Sequence, residues 1–262
     1  MNVKNTLLLL SFILLLTSCG NEKEVYQDNL WYDAPAKDWM QALPLGNGRL
    51  GAMVFGNPQH ERIQLNEDSM WPGGPDWGDG RGTPEDLEEI RKLLKEGKTK
   101  EVDSLIVERF SYKTIVRSHQ TMGDLYIDFQ KERTIANYSR TLSLNDALVT
   151  VKYDSKGNTY SQKVFASRPD DVLVIELSTS APEGMDFTIG MDRPKDKGYA
   201  TVTTRNPSDN EISMKGVVTQ YGGKRDSRPF PLDYGVKFET RLRVKNESGT
   251  VTASNGKLHL KG

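Results

Sequence analysis

Carboxyl side chains set beside tryptophans are the residues of this chain best placed to do chemistry. Glu67 and Asp68 precede Trp71, and Asp76 and Asp79 flank Trp77. An indole can stack on the apolar face of a sugar while a neighbouring acid, desolvated by the ring, hydrogen-bonds a hydroxyl group. Hydrolysis of a glycosidic bond asks for two carboxyl groups across the bond, one with a raised pKa, roughly 5 to 10 Å apart. The chain holds 36 acidic residues, so pairs of this kind also arise by accident. The same stretch fits a plain structure as well, with Asn66-Glu67-Asp68-Ser69 as a capped turn and Trp71 and Trp77 as packing residues.

Other chemistries find less support. Cys19 is the sole cysteine, which removes disulfides, a thiol nucleophile in the body of the chain and any cysteine-based metal site. His60, His119 and His259 lie too far apart to form a ligand pair at helical spacing, so no metal and no cofactor is expected. His119-Gln120-Thr121 precedes a strand and reads either as a polar turn or as a sugar-facing group. Thirty-five basic residues against 36 acidic ones, with Lys224-Arg225-Asp226-Ser227-Arg228 as a solvated loop, leave no clustered basic face for nucleic acid.

The elements that must carry these residues are mostly strands. Gly46, Gly48, Gly51 and Gly56 punctuate the opening block, with Leu50, Met53, Val54 and Phe55 as a short buried strand. Asn47-Gly48 is a two-residue hairpin signal that would leave Arg49 on a tight turn. No Lys-Ser/Thr and no helix follow these glycines, so the block is not a phosphate loop. Thr83-Pro84-Glu85-Asp86 opens a helix whose apolar face is Leu87, Ile90, Leu93 and Leu94, ending at Gly97. A second helix runs from Thr99 through Val102, Leu105 and Ile106 toward Phe110. Beyond it the period is two. Strands are expected at Leu125 to Phe129, Ala147 to Tyr153, Tyr160 to Ala166, Val172 to Ser178, Phe187 to Met191, Glu211 to Thr219, Val236 to Lys245 and Thr250 to Ala253. Many short strands predict a mainly β fold, a large sandwich of two antiparallel sheets with a short two-helix insertion.

Residues 1–18 read as a targeting segment. Lys4 supplies the positive start, Leu7 to Leu16 is apolar but for Ser11, and Leu16-Thr17-Ser18-Cys19 closes it. The run is too short to span a bilayer, which takes about 20 residues. The segment is similar to a bacterial lipoprotein signal, which makes Cys19 the lipid-bearing residue and puts the protein on the periplasmic or cell-surface side of a membrane. Residues 19–29 form a polar tether and residues 30–262 one globular domain.

Four blocks carry a family resemblance: Pro44 through Gly56 with its Gly46-Asn47-Gly48-Arg49, Ile63 through Pro75 with its Asn66-Glu67-Asp68 and Trp71-Pro72-Gly73-Gly74, Gln120 to Leu125, and Phe165 to Asp170. Together they resemble the amino-terminal domain of glycoside hydrolase family 95, the α-L-fucosidases with some α-L-galactosidases. The resemblance implies a β-sandwich (supersandwich) ahead of an (α/α)6 barrel, with the general acid and the residues that position water all on the barrel. Twelve helices and their loops need roughly 200 residues, and no helical periodicity remains after residue 110. No catalytic residue is therefore carried over. What the resemblance does imply is a supporting rim, for which Arg49, Asn66, Glu67 and Trp71 are the candidates. Met70 and Pro72 depart from it, standing where the family more often shows Leu and Ser.

Two functions fit. One is the amino-terminal domain of an exported α-L-fucosidase-like enzyme, inactive without its helical-barrel partner; Lys257 to Gly262 then reads as a strand cut off at its turn. The other is a stand-alone, lipid-anchored lipoprotein that binds fucosylated or galactosylated glycans without cleaving them. Both place Cys19 at the anchor. A Cys19→Ala chain should accordingly leave the membrane fraction, which fractionation followed by immunoblotting measures; unchanged membrane association would remove the anchor assignment.

Overall fold

The computed structural model describes residues 28–72, 82–110, 118–219 and 235–262. The targeting segment, Cys19 and most of the tether lie outside these residues, as do Asp76, Trp77, Asp79 and the basic stretch Lys224 to Arg228. Strand β1 (Asn29–Tyr32) leads through a 3-10 turn (Trp39–Gln41) to β2 (Leu43–Gly46), β3 (Leu50–Val54) and β4 (His60–Glu67). Helices α1 (Pro84–Lys95) and α2 (Thr99–Phe110) follow. The chain then returns to strands: β5 (Gly123–Phe129), β6 (Ala136–Ser143), β7 (Leu148–Ser155), β8 (Asn158–Ser167), β9 (Val172–Thr179) and β10 (Phe187–Asp192). The last five are β11 (Val202–Arg205), β12 (Glu211–Val218), β13 (Val236–Arg243), β14 (Thr250–Ser254) and β15 (Lys257–Lys261).

Two antiparallel sheets make the sandwich, one of five strands in the order β1-β6-β7-β8-β9 and one of seven in the order β14-β15-β10-β5-β4-β3-β2. A third sheet, β11-β12-β13, adds to the two that the sequence predicts; it packs through β12 against β10 and β15. The period-two pattern generates the core. Val149, Val151 and Val164 of the five-stranded sheet meet Val54, Ile63, Leu125 and Ile127 of the seven-stranded one, with Ile212 and Met214 joining from the third. Burial of this apolar surface, at about 25 cal/mol per Å², is the main force holding the layers together.

The helices form where the cap predicts. Thr83 accepts from the Asp86 amide while Asp86 bonds back to Thr83, with Pro84 at the first helical position. Arg109 of α2 reaches back to Asp86 and Glu89 of α1 at 2.6 and 2.7 Å. The expected apolar face of α1 is only partly used. Ile90 is buried, but Leu87 and Leu94 are exposed, because the helices pack chiefly on each other rather than on the sheets.

Three strands escape the sequence reading, β1, β6 and β11, while β2 is implied there only by the hairpin signal and β4 shows only as a motif. The reason is visible in β4 and β6, whose inward positions hold charged residues. Glu61 of β4 and Arg140 of β6 are each 1% exposed and break the apolar alternation. Glu61 accepts from the amides of Gly56 and Arg62 at 2.9 and 2.8 Å, and from Nε2 of Gln162 on the opposite sheet at 2.8 Å. Arg140 donates to the Gln41 carbonyl at 2.7 Å and lies over the Tyr32 ring. Tyr138 donates to the Gly56 carbonyl at 2.6 Å, so the β3–β4 turn is gripped from both sides.

Burial raises the Glu61 carboxyl to about 7, although the bonds from Gln162 and the backbone amides pull it back. The folded state thus holds its proton more tightly than the unfolded chain, whose value is 4.5. The stability this gives is fully present below pH 4.5 and is lost as the pH rises through about 7. In Glu61→Gln that loss should vanish, Gln162 turning its amide to accept instead. Urea unfolding at pH 5 and pH 8 checks it: the parent should fall relative to the variant by an amount on the order of 3 kcal/mol.

Candidate functional site

The β2–β3 hairpin puts Arg49 at its tip. The sequence signal points to Asn47-Gly48 as the central pair, but the Asn47 amide bonds to the Leu50 carbonyl at 3.1 Å, so the central residues are Gly48 and Arg49. Gly48 takes φ +98°, a conformation that glycine at the first central position supplies without strain. Asn47 works from outside the turn. Its Oδ1 accepts from the amides of Arg49 and Leu50 at 3.0 and 2.7 Å, and its Nδ2 donates to the Ser167 carbonyl at 2.9 Å. The hairpin tip is thereby tied to the β8–β9 turn.

Two acids converge on Arg49. Its Nε lies 3.1 Å from Oε1 of Glu67, and its guanidinium pairs with Asp171 in the β8–β9 turn. Glu67 ends β4 and is 9% exposed; its other oxygen accepts from the amide and hydroxyl of Ser69 at 2.9 and 2.6 Å. Partial burial raises the Glu67 pKa, yet the Ser69 bonds and Arg49 outweigh it and hold the carboxyl below its ordinary value. Asp171 chiefly, and Glu67 after it, strengthen the Arg49 charge in turn.

Trp71 stands next along the same edge, half exposed, with its ring edge-on to His119 at 5.3 Å between centroids. His119 donates through Nε2 to the Glu67 carbonyl at 3.0 Å, and the Gln120 amide donates to the Met70 carbonyl at 2.9 Å. Met70 and Pro72 are both buried beneath. An apolar side chain of similar volume serves equally in such a packed position, so the departure at Met70 leaves the loop's support intact. Beyond Gln120 the edge opens into a cleft of about 280 Å³ lined by Gln120, Thr121, Arg193 and Lys195. Arg193 is buried there, held by the Thr121 carbonyl at 3.0 Å and by Oε1 of Gln120 at 2.6 Å.

Of the four expected rim residues, Arg49, Glu67 and Trp71 therefore come together. Asn66 does not; it is exposed on the outer face of the seven-stranded sheet, because neighbouring residues of a strand point to opposite faces. Asp171 joins the rim without having been singled out by sequence, and its only signal is the Phe165 to Asp170 block immediately before it. His60 pairs with Asp128, and His259 bonds to Thr188 and Ser254, both away from this edge. Among the described residues no three His, Asp, Glu or Cys side chains are grouped to hold a metal ion. The described residues of all four motif blocks thus meet on one rim, where two acids and one arginine are paired beside an indole. Such a rim can bind and orient a polyhydroxylated ligand, and Glu67, held ionised, does not serve as its proton donor at neutral pH.

The family model described as glycosyl hydrolase family 65, N-terminal domain, matches residues 30–262. The chain belongs to this family. Among the relatives of this glycosyl hydrolase N-terminal domain is alpha-L-fucosidase 2 of Arabidopsis thaliana, 30% identical over 240 residues, which are 87% of this chain and 28% of that protein. Probable alpha-fucosidase A of Aspergillus niger is 34% identical over 201 residues, 72% of this chain and 24% of its own length. The protein of the same name in Aspergillus oryzae is 28% identical over 241 residues, 88% and 31%. The glycosyl hydrolase domain thus spans less than a third of the curated relatives it matches. The resemblance read from the motif blocks, to the amino-terminal domain of a fucosidase-like glycoside hydrolase, agrees with both comparisons.

The hairpin tip yields a direct test. Asn47→Ala strips the acceptor from two turn amides and the donor from the Ser167 carbonyl, and should cost roughly 1–3 kcal/mol in urea unfolding. Amide exchange should rise at Arg49 and Leu50 while β5 and β10 stay protected.

Proposed function

We propose that this domain is the sandwich part of an exported α-L-fucosidase-like glycoside hydrolase, whose rim supports the cleavage of fucosylated or galactosylated glycans without performing it. The observation that carries this reading is the convergence of the four motif blocks on one edge, where Arg49, Glu67, Asp171 and Trp71 stand together. Cleavage asks for a general acid and a second carboxyl across the scissile bond. The rim acids are instead both committed to Arg49, an arrangement suited to fixing a loop and meeting sugar hydroxyls. The chemistry then belongs to a helical-barrel domain of a longer parent chain, and the rim leans over that barrel's mouth. Export and a lipid anchor at Cys19 complete the proposal, resting on Lys4, the apolar run and the Leu-Thr-Ser-Cys box.

The purified chain assayed on an aryl α-L-fucoside, beside Glu67→Gln, tests it. No turnover from either is the expected result. Turnover by the parent that Glu67→Gln abolishes would overturn the supporting role and make Glu67 catalytic.

A further inference from the structure

The outer face of the seven-stranded sheet carries a group of side chains that the rim does not use. Arg62 and Gln64 of β4 stand directly opposite Tyr126 and Asp124 of β5. Arg62 binds Asp124 through both carboxylate oxygens, Nε to Oδ1 at 3.0 Å and Nη2 to Oδ2 at 3.2 Å, and Tyr126 donates its hydroxyl to Oδ2 at 3.3 Å. Trp39, from the 3-10 turn before β2, crosses over the sheet and donates its indole N–H to Oε1 of Gln64 at 2.6 Å.

Three properties of this group bear on what it can hold. The two rings are open, Trp39 at 51% and Tyr126 at 36% exposure, and the polar end of each is already bonded, so what faces solvent is ring surface in a fixed orientation. Asp124 between them is 5% exposed and matched by Arg62, while Asp192, exposed on β10 directly opposite Asp124, gives the face a negative rather than a positive free charge. Both rings are tied to β4: Gln64 holds Trp39 and is the diagonal neighbour of Tyr126, and residues so placed are about 7–8 Å apart. A surface with two oriented rings and nearby amides from Gln64 and Asn66 suits a ligand with apolar faces and many hydroxyls, and its exposed Asp192 disfavours an anionic one.

We propose that Trp39, Gln64, Arg62, Asp124 and Tyr126 form a second glycan-contact platform, separate from the rim, that takes a neutral oligosaccharide. It rests on the reading of the chain as part of a glycan-handling enzyme but uses none of the rim residues.

The test is a calorimetric titration of the full chain with 2′-fucosyllactose, a neutral fucosylated trisaccharide, and with a heparin disaccharide as the charged control. Trp39→Ala and Tyr126→Ala should each weaken binding of the trisaccharide about tenfold or more, while Tyr126→Phe, which keeps the ring, stays within about twofold. Circular dichroism and thermal melting confirm that each variant is folded. In a chain carrying Arg49→Ala and Trp71→Ala the platform's share of binding should survive and then be lost on adding Trp39→Ala. Failure of the rim alone would leave the Trp39 and Tyr126 effects in place. The platform is overturned by affinity unchanged in Trp39→Ala and Tyr126→Ala, by tighter binding of the heparin disaccharide, or by self-association that Trp39→Ala dissolves with no response to sugar.

Discussion

A carboxyl with nowhere to go but its hydrogen bonds fixes how the two sheets of this domain face each other. Glu61 is sealed between them, and a buried polar group is tolerated only when its partners are in place. Two of those partners, the Gly56 and Arg62 amides, belong to its own sheet and the turn that leads into it, and the third, Gln162, belongs to the other sheet. Sliding one sheet past the other by a single residue would strand the carboxyl. The apolar residues around it would accept many packings; this contact accepts one. Everything at the rim inherits that choice, since β4 runs directly from Glu61 to Glu67.

The rim itself is a meeting of three loops rather than a pocket carved in one element. The β2–β3 tip brings Arg49, the end of β4 brings Glu67 and Trp71, and the β8–β9 turn brings Asp171. Each is held by local bonds before it meets the others: Asn47 ties the tip, Ser69 holds the Glu67 carboxylate and His119 abuts the Trp71 ring. The charges are nearly internally settled. Such pairing suits a surface that positions its neighbours; one that moves protons leaves an acid poised near the working pH.

How much of this is legible in the sequence follows from which residues obey the simple periods. β5, β7, β8 and β10 alternate cleanly, so their bounds read nearly right, and the Thr83 cap announces the helices. β4 and β6 are obscured by Glu61 and Arg140, the very residues whose inward placement matters most. β1 hides for a different reason: all four of its residues are exposed, leaving no alternation to find. At the site, Arg49, Glu67 and Trp71 are singled out by their motif. The period of two alone would have separated Asn66 from Glu67. Asp171 is beyond reach, because nothing in a linear pattern reveals that two loops 122 positions apart will touch.

That long separation has a consequence for how the molecule comes into being. The Arg49–Asp171 pair joins segments 122 positions apart, and the Glu61–Gln162 bond spans 101. Loop closure over such distances must precede any reward from the contact, which places folds of this kind among the slow ones. β4 must also wait for β5, its partner across the helical insertion, before it is flanked on both sides. The rim joins the β2–β3 tip to the β8–β9 turn, so a nascent chain cannot display the Arg49–Asp171 pair until residue 171 has been made. Its appearance reports that the two sheets have met at this edge.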